Sequence, residues 1–505
     1  MRRWGVVAGL VVVAMAAGAT GARAQARMTF KCHDAAAPVC DGRFVMNGEE
    51  TFLLGVYDSG FATAGISTPP IDGWESALFT GRGDIQYYRY LADIPINVYL
   101  NYLQGMATLE QVRGLLDVLG KYGVMWFQTA NCAGNGSYTR YVSGFTADRD
   151  NGDFARQLAT HPQMAGYYIM DECGDSSFGT NLVPETQHHH GLLKGFDPAA
   201  VNFAVPIARG YRHPRYWTSP PNGDPKATSA PTADLFGTDP YPIFGPEPAI
   251  GYPHFEVADY IARLRDEVST DKPIVGVLQL FVSGVGGRLP TKTEMRMHAY
   301  ASIVEGAQGL FWWDIGENGV RSPTGAAQAR RGAAQTREGA ALISRGMQNL
   351  KDLVTELDVL KPALLATPTQ DALLDVSPRS ATAREWRIAA LRAVIPLVSN
   401  FLDRQWYQAE LNALTAPAPN ESLSPLLHHA VPQRSFIRTR VTVVNGIGYV
   451  IAYNYGPTAI KGVTFTWRSA PASVDVFAEN RTITPAGATF TDDFGPYEAH
   501  VYLVR

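Results

Sequence analysis

The sequence predicts an α/β protein: a (β/α)8 TIM barrel followed by a small all-β sandwich. Three observations carry this. Between residues 51 and 315, short β-branched or aromatic runs alternate with amphipathic helical stretches, the pattern of βα units on a parallel sheet. Eight such runs can be counted. From residue 437 onward the helical period is gone, and short strands follow one another between turn signals, as in an antiparallel sandwich.

The eight runs are taken in order. Strand 1 spans 52–57 and ends at Asp58. Strand 2 (97–101) ends in Asn101 and Tyr102, and a helix with apolar residues at helical spacing follows at 109–119. Strand 3 (124–129) runs into Asn131 and Cys132. Strand 4 (166–170) ends in Asp171, Glu172 and Cys173. Strand 5 covers 201–205. Strand 6 (234–238) leads into Asp239-Pro-Tyr241-Pro, with a helix at 255–268. Strand 7 (273–278) ends at Gln279. The helix after it opens with Thr291-x-x-Glu294, a capping-box pattern, and reaches about residue 307. Strand 8 (309–313) holds Trp312 and Trp313, with Asp314 and Glu317 just beyond. A long helix is expected at 336–360. Segment 384–414 reads as helical or irregular, with Pro396 bending it. The sandwich strands are expected at 439–444, 448–453, 462–467, 473–477 and 500–504. The domain reading is therefore 1–26 leader, 27–365 barrel with an N-terminal extension, 366–436 connector and 437–505 sandwich.

The first residues read as a secretory signal. Arg2 and Arg3 precede an apolar run at 5–19, and small residues at 22–26 suit a signal peptidase. No later segment has the length and lack of charge of a membrane helix. The expected location is periplasmic or secreted, with no membrane contact after cleavage. In that oxidising compartment four cysteines suggest two disulfides. Cys32 and Cys40 are close in sequence, which leaves Cys132 and Cys173. No Cys-x-x-Cys spacing supports metal ligation. His188-His-His190 is no better a metal site, because consecutive helical residues point about 100° apart. Neither a P-loop nor a Gly-x-Ser-x-Gly elbow is present. No cofactor is expected. The formal net charge of -4 and the lack of a basic stripe argue against nucleic acid as a partner.

Polar residues sit just after nearly every apolar run. In a barrel these are the C-terminal strand ends, where active sites are built. Taken singly, each equally suits a helix cap or a turn. Glu172 stands out among them. It closes an apolar, aromatic strand beside Asp171, and both desolvation and a like charge raise a carboxyl pKa. A carboxyl that keeps its proton near neutral pH can protonate a leaving glycosidic oxygen, with a second carboxylate acting across the ring.

The chain resembles bacterial (β/α)8-barrel glycoside hydrolases with a C-terminal β-sandwich. The marks are Met46-Asn-Gly48 leading to Leu54-Gly-Val-Tyr57, Gly166-Tyr-Tyr-Ile-Met-Asp171-Glu172, Asp239-Pro-Tyr-Pro242 and Lys272-Pro-Ile-Val-Gly-Val-Leu-Gln279. Arg288-Leu-Pro-Thr-x-x-Glu-x-Arg296, Gly306-Ala-Gln-Gly309 before Trp312-Trp313, and Gly495-Pro-Tyr497 continue it. The resemblance implies cleavage of O-glycosidic bonds in a poly- or oligosaccharide. Glu172 would be the general acid. Tyr57, Tyr102, Tyr241, Trp312 and Trp313 would stack on sugar rings, although neighbours on a strand face opposite ways, so one tryptophan would face the helices. Asp58, Asn101, Asn131 and Gln279 would bind hydroxyls. Cys132 and Cys173, after adjacent strands, would bridge at the rim.

One departure stands out. In the large retaining clan, the strand-4 Glu follows an Asn and a Glu on strand 7 is the nucleophile. Here strand 4 offers Asp171-Glu172 and strand 7 offers Gln279, an amide. Three readings follow. Asp239, Asp314 or Glu317 supplies the second carboxylate, with inversion. Alternatively, Asp171 orients a substrate acetamido group while Glu172 protonates the leaving group. Or the barrel is a non-catalytic carbohydrate-binding or surface-assembly protein.

Overall fold

The fold comes from a computed structural model. It describes residues 27–32, 42–58, 75, 79, 91, 94–101, 108–129, 151–171, 183–206, 232–243, 253–267, 272–282, 288–313, 337–369, 374–377, 383–396, 401–416 and 436–505.

In chain order, a three-stranded antiparallel sheet comes first: β1 (Met28–Cys32), β2 (Gly42–Met46) and β3 (Glu49–Thr51). The barrel elements follow as β4 (Leu53–Asp58), β5 (Val98–Asn101), α1 (Leu109–Lys121), β6 (Met125–Thr129), α2 (Asn151–Leu158) and β7 (Met164–Asp171). Next come α3 (Val183–Phe196), β8 (Val201–Val205), β9 (Leu235–Thr238), α4 (Phe255–Glu267), β10 (Ile274–Gln279), α5 (Lys292–Val304) and β11 (Gly309–Trp313). Strands β4 to β11 close into one parallel barrel in sequence order, β11 pairing with β4. Thr291 and Glu294 cap α5 reciprocally, as their spacing predicts.

Beyond the barrel lie α6 (Arg337–Val359), α7 (Lys361–Leu364), β12 (Leu374–Ser377), α8 (Ala383–Val394) and α9 (Phe401–Thr415). The chain ends in β13 (Ile437–Val444), β14 (Ile447–Asn454), β15 (Ile460–Trp467), β16 (Val474–Val476), β17 (Arg481–Ile483), β18 (Thr489–Phe494) and β19 (Ala499–Val504). These form a five-stranded sheet, β13-β14-β19-β16-β17, facing a three-stranded one, β12-β15-β18. β12 comes from the segment read as connector, yet it pairs with β15. Among the described residues, no helix is long and apolar enough to cross a membrane.

Two apolar layers organise the barrel. Leu53, Val98, Leu100, Met125, Phe127, Phe203, Val275, Val277 and Phe311 fill its interior, and Met28, Phe44 and Met46 of the first sheet close off one end. Leu54, Val56, Tyr99, Trp126, Leu310 and Trp312 face the helices and share a layer with Ile261 of α4 and Tyr300 of α5, which continues into Tyr453, Tyr455 and Val501 of the sandwich.

Buried ion pairs join the two domains. Arg387 on α8 bonds Asp259 on α4 and Glu410 on α9, each at 2.9 Å, and donates to the Tyr455 hydroxyl at 2.7 Å. Arg438 and the Tyr453 hydroxyl both bond Glu305, at 2.8 and 2.6 Å. Arg296 on α5 donates to Glu356 at 2.8 Å and to the Ala499 carbonyl at 2.6 Å. Each fully buried charge has an opposite charge and further hydrogen bonds, as burial of a charge requires.

The histidines beside this junction make stability depend on pH. The buried His298 ring lies 2.9 Å from that of His254, with Glu294 and Arg288 beyond. Burial, reinforced by His254, pushes His298 down to about 3 from an ordinary value near 6.5. The fold therefore keeps His298 neutral where the unfolded chain takes a proton. Its contribution is present above about pH 6.5 and is lost as pH falls towards about 3. In His298→Gln, the fall in Tm between pH 7 and pH 5 should be shallower than in the parent protein. Equal slopes would contradict this account.

Candidate active site

The strand pleat decides which side chains reach the barrel mouth. On β4, Leu53 and Tyr57 face the interior, while Leu54, Val56 and Asp58 face the helices. Near the mouth the interior is filled by rings. Tyr57 packs edge-on against Tyr168 at 5.4 Å and Phe311 at 5.7 Å, and Phe203 lies 5.4 Å from Phe311. Gly55 makes room for this layer. It pairs with Phe311, and a Cβ there would lie 2.3 Å from the Phe311 ring.

β7 carries the irregularity that shapes the site. Its register with β8 runs Tyr168 to Phe203, Met170 to Ala204 and Asp171 to Val205. Ile169 is therefore an extra residue, a β-bulge. Tyr168 and Val205 belong to the interior layer, whereas Ile169, Met170 and Ala204 belong to the helix layer. A regular strand would have turned Asp171 towards the helices. The bulge shifts the parity by one and gives Asp171 the interior side, beside Val205.

Electrostatics agree with that placement. The buried Tyr57 phenol lies against the Tyr168 ring. Its pKa is raised well above 10.0 by burial first, and then by the carboxylates of Asp171 and Asp239. Asp171, at the end of β7, and Asp239, just past β9, are both half-buried, and both lie near enough to Tyr57 to raise its pKa.

An aromatic wall stands beside them. Trp313, at the end of β11, and Tyr241, past β9, lie nearly parallel at 5.6 Å and 27°. Phe281 meets both edge-on, at 5.0 and 4.7 Å. Trp313 and Tyr241 are partly exposed, while Phe281 is buried. The Leu280 amide donates to the Trp313 carbonyl at 2.6 Å, which joins the two strand ends.

Several expected substrate contacts point elsewhere. Tyr57 is enclosed by the interior rings and has no face open to a sugar. Trp312 is fully buried in the helix layer, so of the tryptophan pair only Trp313 reaches the mouth. Asp58 accepts from the Tyr99 hydroxyl at 2.6 Å behind the rim. Asn101 is fully buried and accepts from the Trp126 indole at 2.9 Å. Gln279 is buried, and its carboxamide bonds the backbone of Ile243 and Phe281. Asp58, Asn101 and Gln279 therefore brace the rim through these contacts, and the Asn101 Nδ2 has no hydrogen-bond partner among the described residues.

Tyr102, Asn131, Glu172, Asp314 and Glu317 lie outside the described residues, as do Cys40, Cys132 and Cys173. Two residues at the mouth were missed in the sequence. Thr129 closes β6 and donates to the Asn101 carbonyl, and Phe281 completes the aromatic wall. Both sit at interior parity or just past a strand end, the signal that could have marked them. His189 and His190 are buried and His188 is exposed. His190 meets Asn202 at 2.9 Å and is pushed down to about 4 by burial, which suits packing of α3 on β8.

No family model matches the sequence, and no curated protein sequence does either. Solved structures to which this chain is similar include glycoside hydrolases. An exo-β-1,4-mannosidase from an Opitutaceae bacterium is 14% identical, with a TM-score of 0.42, over 64% of this chain and 61% of that one. A GH30 endoxylanase from Clostridium papyrosolvens is 12% identical, with a TM-score of 0.40, over 90% and 97% of the two chains. An α-amylase from Geobacillus thermoleovorans is 9% identical, with a TM-score of 0.45, over 90% and 98%.

The tight packing of the floor gives a direct test. Gly55→Ala places a methyl inside the Phe311 ring, and Phe311 is held by Tyr57 and Phe203. The expected cost is about 1–3 kcal/mol, read by urea denaturation. An unchanged midpoint would show that the ring layer can yield.

Proposed function

We propose that the protein is an exported glycoside hydrolase acting on a poly- or oligosaccharide. The observation that carries this is the mouth itself. Asp171, at the end of β7, and Asp239, just past β9, both act on the Tyr57 phenol, and the partly exposed Tyr241–Trp313 wall stands past β9 and at the end of β11. An aromatic plane suits the apolar face of a sugar ring, and paired carboxyl groups suit glycosidic cleavage.

In this reading Glu172, next after Asp171, is the general acid. Asp171 raises its pKa as a like charge. Asp239 is the base that activates water. β7 and β9 are separated by β8 alone. Two strand spacings amount to roughly 9–10 Å between backbones. That suits carboxyl groups about 6.5–9.5 Å apart and hence inversion. Asp314 and Glu317 are the further candidates for the second carboxylate. The leader at 1–26 directs export to the periplasm or beyond. Because β6 and β7 are paired neighbours, Cys132 and Cys173 just past their ends are suited to bridge, and Cys32 with Cys40 forms the other pair.

Gln279 favours a second reading. With an amide where the retaining clan has its nucleophile, the barrel would bind carbohydrate without cleaving it.

Assay on a panel of polysaccharides and aryl glycosides separates the two. Glu172→Gln and Asp239→Asn should each lower kcat by roughly 10²–10⁴-fold. Asp171→Asn should move the alkaline limb of the kcat/KM profile to lower pH, because the acid loses a like-charged neighbour. Proton NMR of the first-formed anomer should show inversion. Binding without turnover, with Glu172→Gln changing nothing, would overturn the enzyme reading.

A further inference from the structure

We infer that Gln279 is the positioning residue of the aromatic wall, an inference that rests on the sugar-binding reading of that wall. Gln279 ends β10, between the strand ends that carry Tyr241 and Trp313. Its Oε1 accepts the Ile243 amide at 3.0 Å, and its Nε2 donates to the Ile243 carbonyl at 2.9 Å and the Phe281 carbonyl at 3.1 Å. The Ile243 N–H can only donate, so it determines which end of the carboxamide is oxygen. Both Nε2 hydrogens and one Oε1 lone pair are thereby used on backbone.

The two segments gripped in this way carry the wall. Ile243 closes the run Asp239-Pro-Tyr-Pro-Ile243, in which proline on each side of Tyr241 restricts the backbone. Holding Ile243 therefore holds Tyr241. Phe281, whose carbonyl takes the other hydrogen, packs edge-on against both Tyr241 and Trp313. One side chain thus sets the separation of two rings that come from different strands.

The same geometry explains why this place holds an amide. An ionised carboxylate would face two carbonyl oxygens with no hydrogen to give either, in a buried site. A protonated carboxyl could still accept from the Ile243 amide and donate once. Strand 7 is therefore built to steady the wall and not to supply a charged nucleophile.

The test uses the full chain in three variants, Gln279→Glu, Gln279→Met and Trp313→Phe, the last to assign the Trp313 indole ¹H–¹⁵N resonance. In Gln279→Met, which keeps the length and loses all three bonds, the Trp313 resonance should shift or broaden at every pH. In Gln279→Glu it should be displaced at pH 7 and return towards its parent position on acidification. The Tm deficit of Gln279→Glu should widen as pH rises, because the buried carboxyl has a raised pKa and its protonated form alone fits. KM for the polysaccharide cleaved in the panel should rise several-fold with kcat little changed. An unmoved Trp313 resonance in both Gln279 variants, with a pH-independent Tm difference, would overturn the inference. If the resonance moves as expected but Trp313→Ala leaves polysaccharide binding unchanged, the positioning role stands and the sugar reading of the wall fails.

Discussion

A closed parallel barrel sends alternate side chains into its interior and out to its helices. In this chain that alternation governs which polar strand ends can meet a ligand. Asp58 and Asn101 end their strands with the outward parity, and their side chains are taken up by Tyr99 and Trp126. Gln279 and Trp313 end theirs with the inward parity. β7 would have presented Met170 to the mouth, and one inserted residue presents Asp171 in its place. The site thus owes its acidic character on this side to a single bulge.

Parity alone would leave the rim loose, and the sandwich supplies the rigidity. α4 and α5 follow β9 and β10, the strands whose ends carry Asp239 and Gln279. Those same helices are tied outward: Asp259 of α4 to Arg387, Glu305 at the end of α5 to Arg438, and Arg296 of α5 to Glu356 and the Ala499 carbonyl. Removing one member of such a buried pair strands the other charge, at a cost of about 3–5 kcal/mol. The β-domain is therefore part of the barrel's support on the side where the aromatic wall stands. Its internal order comes from its own apolar layer of Val441, Val450, Phe465, Phe490 and Tyr502.

Much of this architecture was legible in the sequence, because long apolar runs between amphipathic helices leave few alternatives. All eight barrel strands were located, and the Thr291–Glu294 cap was predicted from spacing alone. The site was less legible. The run Gly166-Tyr-Tyr-Ile-Met is apolar throughout, so it has no period in which a bulge could show. Asp58 and Asn101 look like rim ligands until Tyr99 and Trp126, themselves outward-facing, are seen to reach them. Gln279 was conspicuous as an amide where a carboxylate was expected. Its partners, the backbone of Ile243 and Phe281, are invisible to any side-chain pattern. β12 escaped notice because its pairing with β15 spans a long stretch of intervening chain.

The central claim is that sugar sits on the Tyr241–Trp313 wall between the acidic groups at the ends of β7 and β9. The most direct measurement is a crystal structure of the Asp239→Asn protein soaked with an oligosaccharide of the polysaccharide it binds. The account predicts a sugar ring stacked on Trp313, with the scissile oxygen towards the β7 end and residue 239 on the opposite face. Oligosaccharide bound only on the sandwich, or a mouth left empty at saturating concentration, would contradict it.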